Sequence, residues 1–149
     1  MKRATQSRDR ATARSLMARL GRDAQHIAWR FGLRYRSIEA ERVDVTSRYG
    51  ICYDDGAIKI RLFHAITGRP LRYSSLVSTL CHELAHLRHF NHGVRFRAFN
   101  QELLQFAREQ GIYRPRRQNA TDAAGAPVRA REPAVGSPRA QRPVQLALF

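Results

Sequence analysis

Cysteine, lysine and acidic residues are all scarce in this chain of 149 residues, and each shortage excludes something. Two cysteines, Cys52 and Cys81, cannot frame a disulfide-stapled secreted scaffold. Cys81 also falls inside a helical pattern, where a bond to Cys52 would be an unforced assumption. No apolar stretch approaches the roughly 18 residues that a membrane-crossing helix needs, and "MKRATQSRDRATARS" lacks the apolar core of a signal peptide. The expectation is a cytoplasmic protein with no membrane partner. Acidic residues number 12 against 27 Lys+Arg, a formal net charge of +15, and Lys2 and Lys59 are the only lysines. An excess carried almost wholly by arginine predicts attraction to polyanions, because the planar guanidinium meets a phosphate with two hydrogen bonds at once. With about 100 to 200 residues to a typical domain, one domain plus extensions is expected.

The charge is not spread evenly. Residues 1–36 hold ten basic and two acidic residues, 37–110 ten and eight, and 111–149 seven and two, so the middle is nearly balanced and both ends are basic. Leu16, Leu20, Ile27 and Phe31 recur at helical spacing with Arg14, Arg19, Arg22 and Arg30 between them. This predicts an amphipathic helix over about 10–31 whose outer face offers those four arginines to nucleic acid. Val43 and Val45, then Ile58, Ile60 and Leu62, alternate with polar residues and predict two strands, with "YDDG" as turn chemistry between them. A helix over about 74–90 follows, then a break at "NHG" and a last helix through Phe96, Phe99, Leu103 and Phe106 that Gly111 and Pro115 end. The predicted class is α+β, with an N-terminal helix, a short antiparallel sheet, a central helix and a following helix. Residues 1–9 are expected as a basic flexible arm, 10–114 as the folded domain, and 115–144, which hold five of the six prolines, as a disordered basic linker. Arg114, Arg116 and Arg117 at that boundary are further candidate phosphate contacts.

The chemistry lies in "STLCHELAHLRHFNHG". His82 and His86, four apart on a helix, project from one face about 6 Å apart along the axis and can close on one ion. Glu83 lies about 100 degrees round, placed to reach a water on that ion rather than the ion itself. With six His and six Glu in the chain, a chance HExxH arises at about the one percent level, so the motif points to chemistry. A catalytic zinc needs a third protein ligand and one open position. His92 supplies the third, just past a break where Asn91 and Gly93 let the chain turn back. His89, seven residues from His82, would stand about 10 Å along the helix from it, too far to share the ion, and is assigned to the surroundings or the surface. His26 and His64 are isolated and read as structural or solvent-facing. Tyr73, Tyr113 and nearby arginines are candidates for a second oxyanion donor, and the strand 57–63 for pairing with an extended substrate.

"HELAHLRHFNHG" resembles the metal site of YgjP-like and SprT-like zinc metallopeptidases: an HELxH helix, a short break and a third His in an Asn-His-Ser/Gly context. "VDVTSRYGICYDDGAIKIRLF" is similar to the family's strand, Trp-Gly-Ser-Cys turn and following strand, with Tyr49-Gly50-Ile51-Cys52 in the turn. The resemblance covers roughly residues 38–110. It departs from the pattern at Tyr49, in place of Trp, and at Phe96-Arg97, where an aromatic pair is usual. The resemblance implies a small zincin-like domain, one Zn2+ held by His82, His86 and His92, Glu83 as general base, and hydrolysis of peptide bonds in protein substrates. SprT-like relatives include proteases that digest proteins crosslinked to DNA, which implies DNA as the setting.

The last five residues, "QLALF", are similar to the Gln-Leu-Ser/Asp-Leu-Phe peptide by which bacterial replication and repair proteins hold the sliding clamp, with Ala147 at the tolerant middle position. That similarity implies the clamp as a partner of Gln145, Leu146, Leu148 and Phe149. Leu148 and Phe149 would fill an apolar pocket, and the linker would raise the local concentration of the protease near DNA. A fold of about 100 residues leaves little chain for walls around a specificity pocket, so a monomer of weak sequence preference, targeted by its ends, is expected. Two rivals stay open. A regulatory HExxH protease cutting one repressor would take a downstream acidic residue as third ligand. A nucleic-acid-binding module with a closed structural zinc would need Cys52 or Cys81 as the fourth.

Overall fold

The computed structural model describes residues 2–116. Arg117, the rest of the expected linker and the terminal peptide with Gln145, Leu146, Leu148 and Phe149 lie outside the described residues. The chain begins with α1 (Lys2–Phe31), a helix of 30 residues. Its packed part is the second half, where Leu20, Ala24, Ile27 and Ala28 are buried. Residues 2–9, expected as a flexible arm, instead continue the helix. They contain neither Gly nor Pro and are rich in Lys, Arg, Ala and Gln, so a helix nucleated by packing further on propagates back through them.

Three short strands, β1 (Ser37–Ala40), β2 (Gly50–Cys52) and β3 (Ala57–Ile60), form one sheet in the order β1-β3-β2. The turn read in "YDDG" joins β2 to β3: the Gly56 N–H donates to the Tyr53 carbonyl at 3.0 Å, with Gly56 at φ 88°. Within the sheet, β2 runs antiparallel and β1 parallel to β3, so the sheet is mixed rather than wholly antiparallel. The excursion over residues 41–49 carries the chain across β3's position, and the hairpin then brings β3 back between the two edges. No strand forms at Val43–Thr46. Val43 is 82% exposed, and the stretch is a loop closed by Arg48, whose Nε and Nη2 donate to Glu41 Oε2 at 2.9 and 2.7 Å. Alternating valines with no partner strand and no buried face do not make a strand.

The central helix, α2 (Tyr73–His86), is buried round much of its circumference through Leu76, Val77, Leu80, Cys81, Leu84 and Ala85. It ends four residues before the expected Phe90, in a tight last turn where the Leu87 and Arg88 N–H groups donate to the Leu84 and Ala85 carbonyls at 3.1 Å. α3 (Val94–Glu109) packs on it through Phe96, Phe99, Leu103 and Ala107. Ile58 and Ile60 from β3, Leu20 and Ile27 from α1, and Leu80 and Leu84 from α2 are fully buried in one core. Phe31 meets Phe99 and Phe106 edge-on, pinning the end of α1 to α3. Both cysteines are buried and free. Among the described residues, no helix is long and apolar enough to cross a membrane.

Candidate metal centre

A helix buried like α2 leaves its polar side chains to find partners inside the protein. His82 and His86 leave consecutive turns on one side, and the chain, released from the helix at His86, brings His92 back to them. The three Nε2 atoms form a nearly equilateral triangle, 3.2 Å between His82 and His86, 3.0 Å between His86 and His92, and 3.1 Å between His82 and His92. A tetrahedral ion with bonds of about 2.0–2.1 Å holds its nitrogens roughly 3.3–3.4 Å apart, so a few tenths of an ångström separate this triangle from a single zinc-sized site. The Nδ1 of His86 lies 3.1 Å from the His89 carbonyl, which can only accept. His86 is therefore assigned the tautomer that turns an Nε2 lone pair toward the centre. Burial, with the adjoining imidazoles adding to it, brings the His82 and His86 pKa values down to about 3, and burial lowers His92 as well. Neutral imidazoles are the form that binds metal. His86 is buried while His82 and His92 are partly exposed, which leaves a solvent side from which a further ligand can enter.

Phe96, 3% exposed, supports all three rings: its centroid lies 4.8, 4.5 and 4.9 Å from those of His82, His86 and His92. Sequence reasoning noted Phe96 only as a helix-face residue and a departure from the family pattern. Its place four residues after His92, in the first turn of α3, is the signal that marks it as part of the site. The return to His92 does not use glycine's left-handed freedom. Gly93 caps α3 at φ −81° and ψ −167°, with open space around it, so the expectation placed on it is corrected.

Glu83 is 1% exposed and faces β2. A Cβ built on Gly50 would lie 3.0 Å from Glu83 Oε1, 3.1 Å from its Cγ and 2.7 Å from Thr79 Cγ2. The absence of a side chain at Gly50 is what lets the strand lie against the helix at the glutamate. Cys52 is close enough that its thiol is pushed up to about 12, first by burial and then by the Glu83 and Asp55 carboxylates. Neither thiol joins the ligand group, which consists of His82, His86 and His92.

The other candidates fall elsewhere. Tyr73 donates a hydrogen bond from its hydroxyl to Asp23, carries the Arg19 guanidinium 3.6 Å over its ring, and sits nine residues before His82, about 13 Å along the helix. It is not an oxyanion donor at this triangle. Tyr113 has the Arg108 guanidinium 5.5 Å over its ring. β3 is the middle strand and has no free edge for a substrate; the edge that lies against α2 is β2. His89 contributes its carbonyl, not its ring, which packs on Phe99. His26 contacts Gln110 and Phe106, and His64 Nδ1 accepts the N–H groups of Ile66 and Thr67. Arg14 and Arg22 are exposed on α1, whereas the heads of Arg19 and Arg30 rest over aromatic rings; Arg114 and Arg116 are exposed beyond α3.

Two histidines on a buried helix, a third from the turn behind it and a glutamate beside them, carried on a small α+β frame, define a metallopeptidase. The YgjP-like metallopeptidase domain matches residues 2–110, and the chain belongs to this family. The fold is shared with crystal structures of Wss1. Wss1 from Saccharomyces cerevisiae superposes with a TM-score of 0.61 at 18% identity, over 68% of this chain and 84% of that one. A mutant of the same protein gives 0.61 at 17% identity, over 70% and 86%. A Wss1 mutant from S. pombe gives 0.57 at 20% identity, over 64% and 85%. At such identities the likeness is one of fold. No curated protein matches the chain.

Proposed function

We propose that the chain is a zinc-dependent protease of DNA-bound or DNA-crosslinked proteins, drawn to them by its basic ends and by a C-terminal sliding-clamp peptide. The observation that carries the chemistry is the closed triangle of histidine nitrogens with Glu83 buried next to it. His82, His86 and His92 would hold the ion, with Phe96 behind the rings and the His89 carbonyl fixing the His86 tautomer. Zinc, when bound, brings the pKa of water toward neutrality and polarises a carbonyl. Glu83 accepts the water's proton as the peptide carbonyl is attacked and delivers it to the leaving amine. Its packing against Gly50 restricts where that carboxylate can go, and Asp would fall one methylene short. An extended substrate can pair along the β2 edge, beside the same glutamate.

Charge and family resemblance support the DNA setting. The excess of +15 is concentrated at the two ends, and Arg14 and Arg22 stand outward on α1. Support for the clamp is the sequence Gln145–Phe149 alone, at the end of a proline-containing, basic stretch. Of the rivals, the repressor-cutting protease lacks support because His92 already takes the third corner. The closed structural zinc lacks it because neither thiol is in the ligand group.

One experiment tests the whole reading: wild type, Glu83→Gln and a chain lacking Gln145–Phe149 are each incubated with a protein crosslinked to DNA, with and without clamp. Fragments are expected from wild type, and none from Glu83→Gln despite one metal per chain. The truncated chain should cut but lose stimulation by the clamp. Undiminished cleavage by Glu83→Gln would remove Glu83 from the reaction, and undiminished clamp stimulation of the truncated chain would remove the peptide from recruitment.

A further inference from the structure

Trp29 is the only tryptophan in the chain, and the fold does not bury it: the residue is 81% exposed on α1. At about 100 degrees per residue, it points almost directly away from the core side of α1, with Leu20 about 180 degrees and Ile27 about 160 degrees round from it. The ionisable residues that share its side are basic. Arg22 lies about 20 degrees away, and Arg8, Arg14 and His26 about 60 degrees away. Asp9 and Asp23, the two acidic residues of α1, lie about 160 and 120 degrees round, and Asp23 accepts from Tyr73. From Arg8 to Trp29 the row runs about 31 Å, enough for several nucleotides of extended strand.

We infer that Trp29 stacks an unpaired nucleobase at the end of this arginine row, so that α1 binds single-stranded nucleic acid in preference to duplex. The inference rests on the nucleic-acid recruitment proposed above and specifies its form. Every base has a π face, and an exposed aromatic ring among arginines meets the face while the guanidiniums meet the phosphates. In a duplex those faces are already stacked on one another and offer the ring nothing. The exposed neighbours of Trp29 on this side, besides the basic residues, include Ala11, Ser15, Ala18 and Gln25. None is a large apolar group that would make a protein-docking patch or sink an amphipathic face into lipid. The rings of Tyr73, Phe31 and Phe106 engage Arg19 and Arg30, and of the arginines of α1 it is Arg8, Arg14 and Arg22 that lie within about 60 degrees of Trp29 and make the phosphate row.

The full chain carries its own probe, because all tryptophan emission comes from Trp29. Binding of a labelled oligothymidylate and of a duplex of equal length is followed by anisotropy, and Trp29 emission is recorded alongside. The oligothymidylate should bind and quench the emission. Trp29→Ala should lose about 5- to 150-fold in affinity for it, the range expected for one stacked base, with an unchanged circular dichroism spectrum and unchanged duplex binding. Trp29→Phe should retain most of the affinity, and the double variant Arg14→Ala/Arg22→Ala should weaken both nucleic acids. Oligothymidylate binding with unquenched emission and wild-type affinity in Trp29→Ala would overturn the stacking and leave recruitment by charge standing. No anisotropy change with either nucleic acid would overturn both. Binding to anionic lipid vesicles, with blue-shifted emission and no response to oligothymidylate, would reassign the face to a membrane.

Discussion

Replacing Gly50 by Ala puts a methyl group where the structure has no room for one. Its carbon would lie 2.7 Å from Thr79 Cγ2, 3.0 Å from Glu83 Oε1 and 3.1 Å from Glu83 Cγ. Carbon atoms rest at about 3.5–4.0 Å, so roughly 1 Å must be found at Thr79 and about half of that at Glu83. The two neighbours yield differently. Thr79 is β-branched and stiff within its helix, so the misfit there falls on the packing of β2 against α2, an overpacking cost of about 1–3 kcal/mol. Glu83 is long, and its carboxylate gives way. A misplacement of about 1 Å in a catalytic group costs on the order of 100-fold in rate, so about half that displacement at Glu83 should cost roughly 10-fold. The three atoms nearest this position belong to Thr79 and Glu83 and none to a histidine, so metal content should stay at one per chain. Adding Thr79→Ala removes the tightest contact, and the double variant should regain most of the stability while its rate stays low, because the Glu83 contacts remain. Urea denaturation, metal analysis and cleavage of a model protein read the three quantities separately. Wild-type rate in Gly50→Ala would refute the claim that β2 positions Glu83, and a rate that recovers together with stability in the double variant would show that only unfolding had been measured.

Phe96→Leu keeps an apolar group in the core but withdraws the wall behind three imidazoles. It should cost about 1 kcal/mol of stability and weaken metal binding by about 10- to 100-fold, read by competition with a chelator; unchanged affinity would make Phe96 a packing residue only. Burial pushes both the Cys52 and the Cys81 thiols up to about 12, so at pH 8 the native protein should hold almost no thiolate. Alkylation should be slow in the folded chain and complete for both cysteines in denaturant, and rapid modification of either one in the native state would contradict the burial.

Much of the site was legible in the sequence because its chemistry is local. Four residues on a helix bring two side chains onto one face whatever else the chain does, so His82, Glu83 and His86 could be placed from spacing, and His92 from the break that follows. Helix periodicity placed α3 for the same reason, although α2 stops earlier than its pattern suggested. The strands were less legible. Val43 and Val45 alternate as a strand does, but a strand exists only where a neighbour pairs with it, and the chain loops out there through the Glu41–Arg48 ion pair. Spacing also has no way to report which strand lies in the middle, and β3, a candidate for substrate pairing by its sequence, has both edges occupied.

By itself the sequence determined the helices, the metal-ligand pattern, the glutamate beside it and the basic ends, all of which depend on residues close together along the chain. The tertiary structure decided that three imidazole nitrogens converge to 3.0–3.2 Å and that Phe96 stands behind them. It also decided that a glycine on another element leaves room for Glu83, and that Trp29 is turned to solvent among arginines. These are contacts between segments tens of residues apart, or the side of a helix left over once the core has claimed the other, and packing alone settles them.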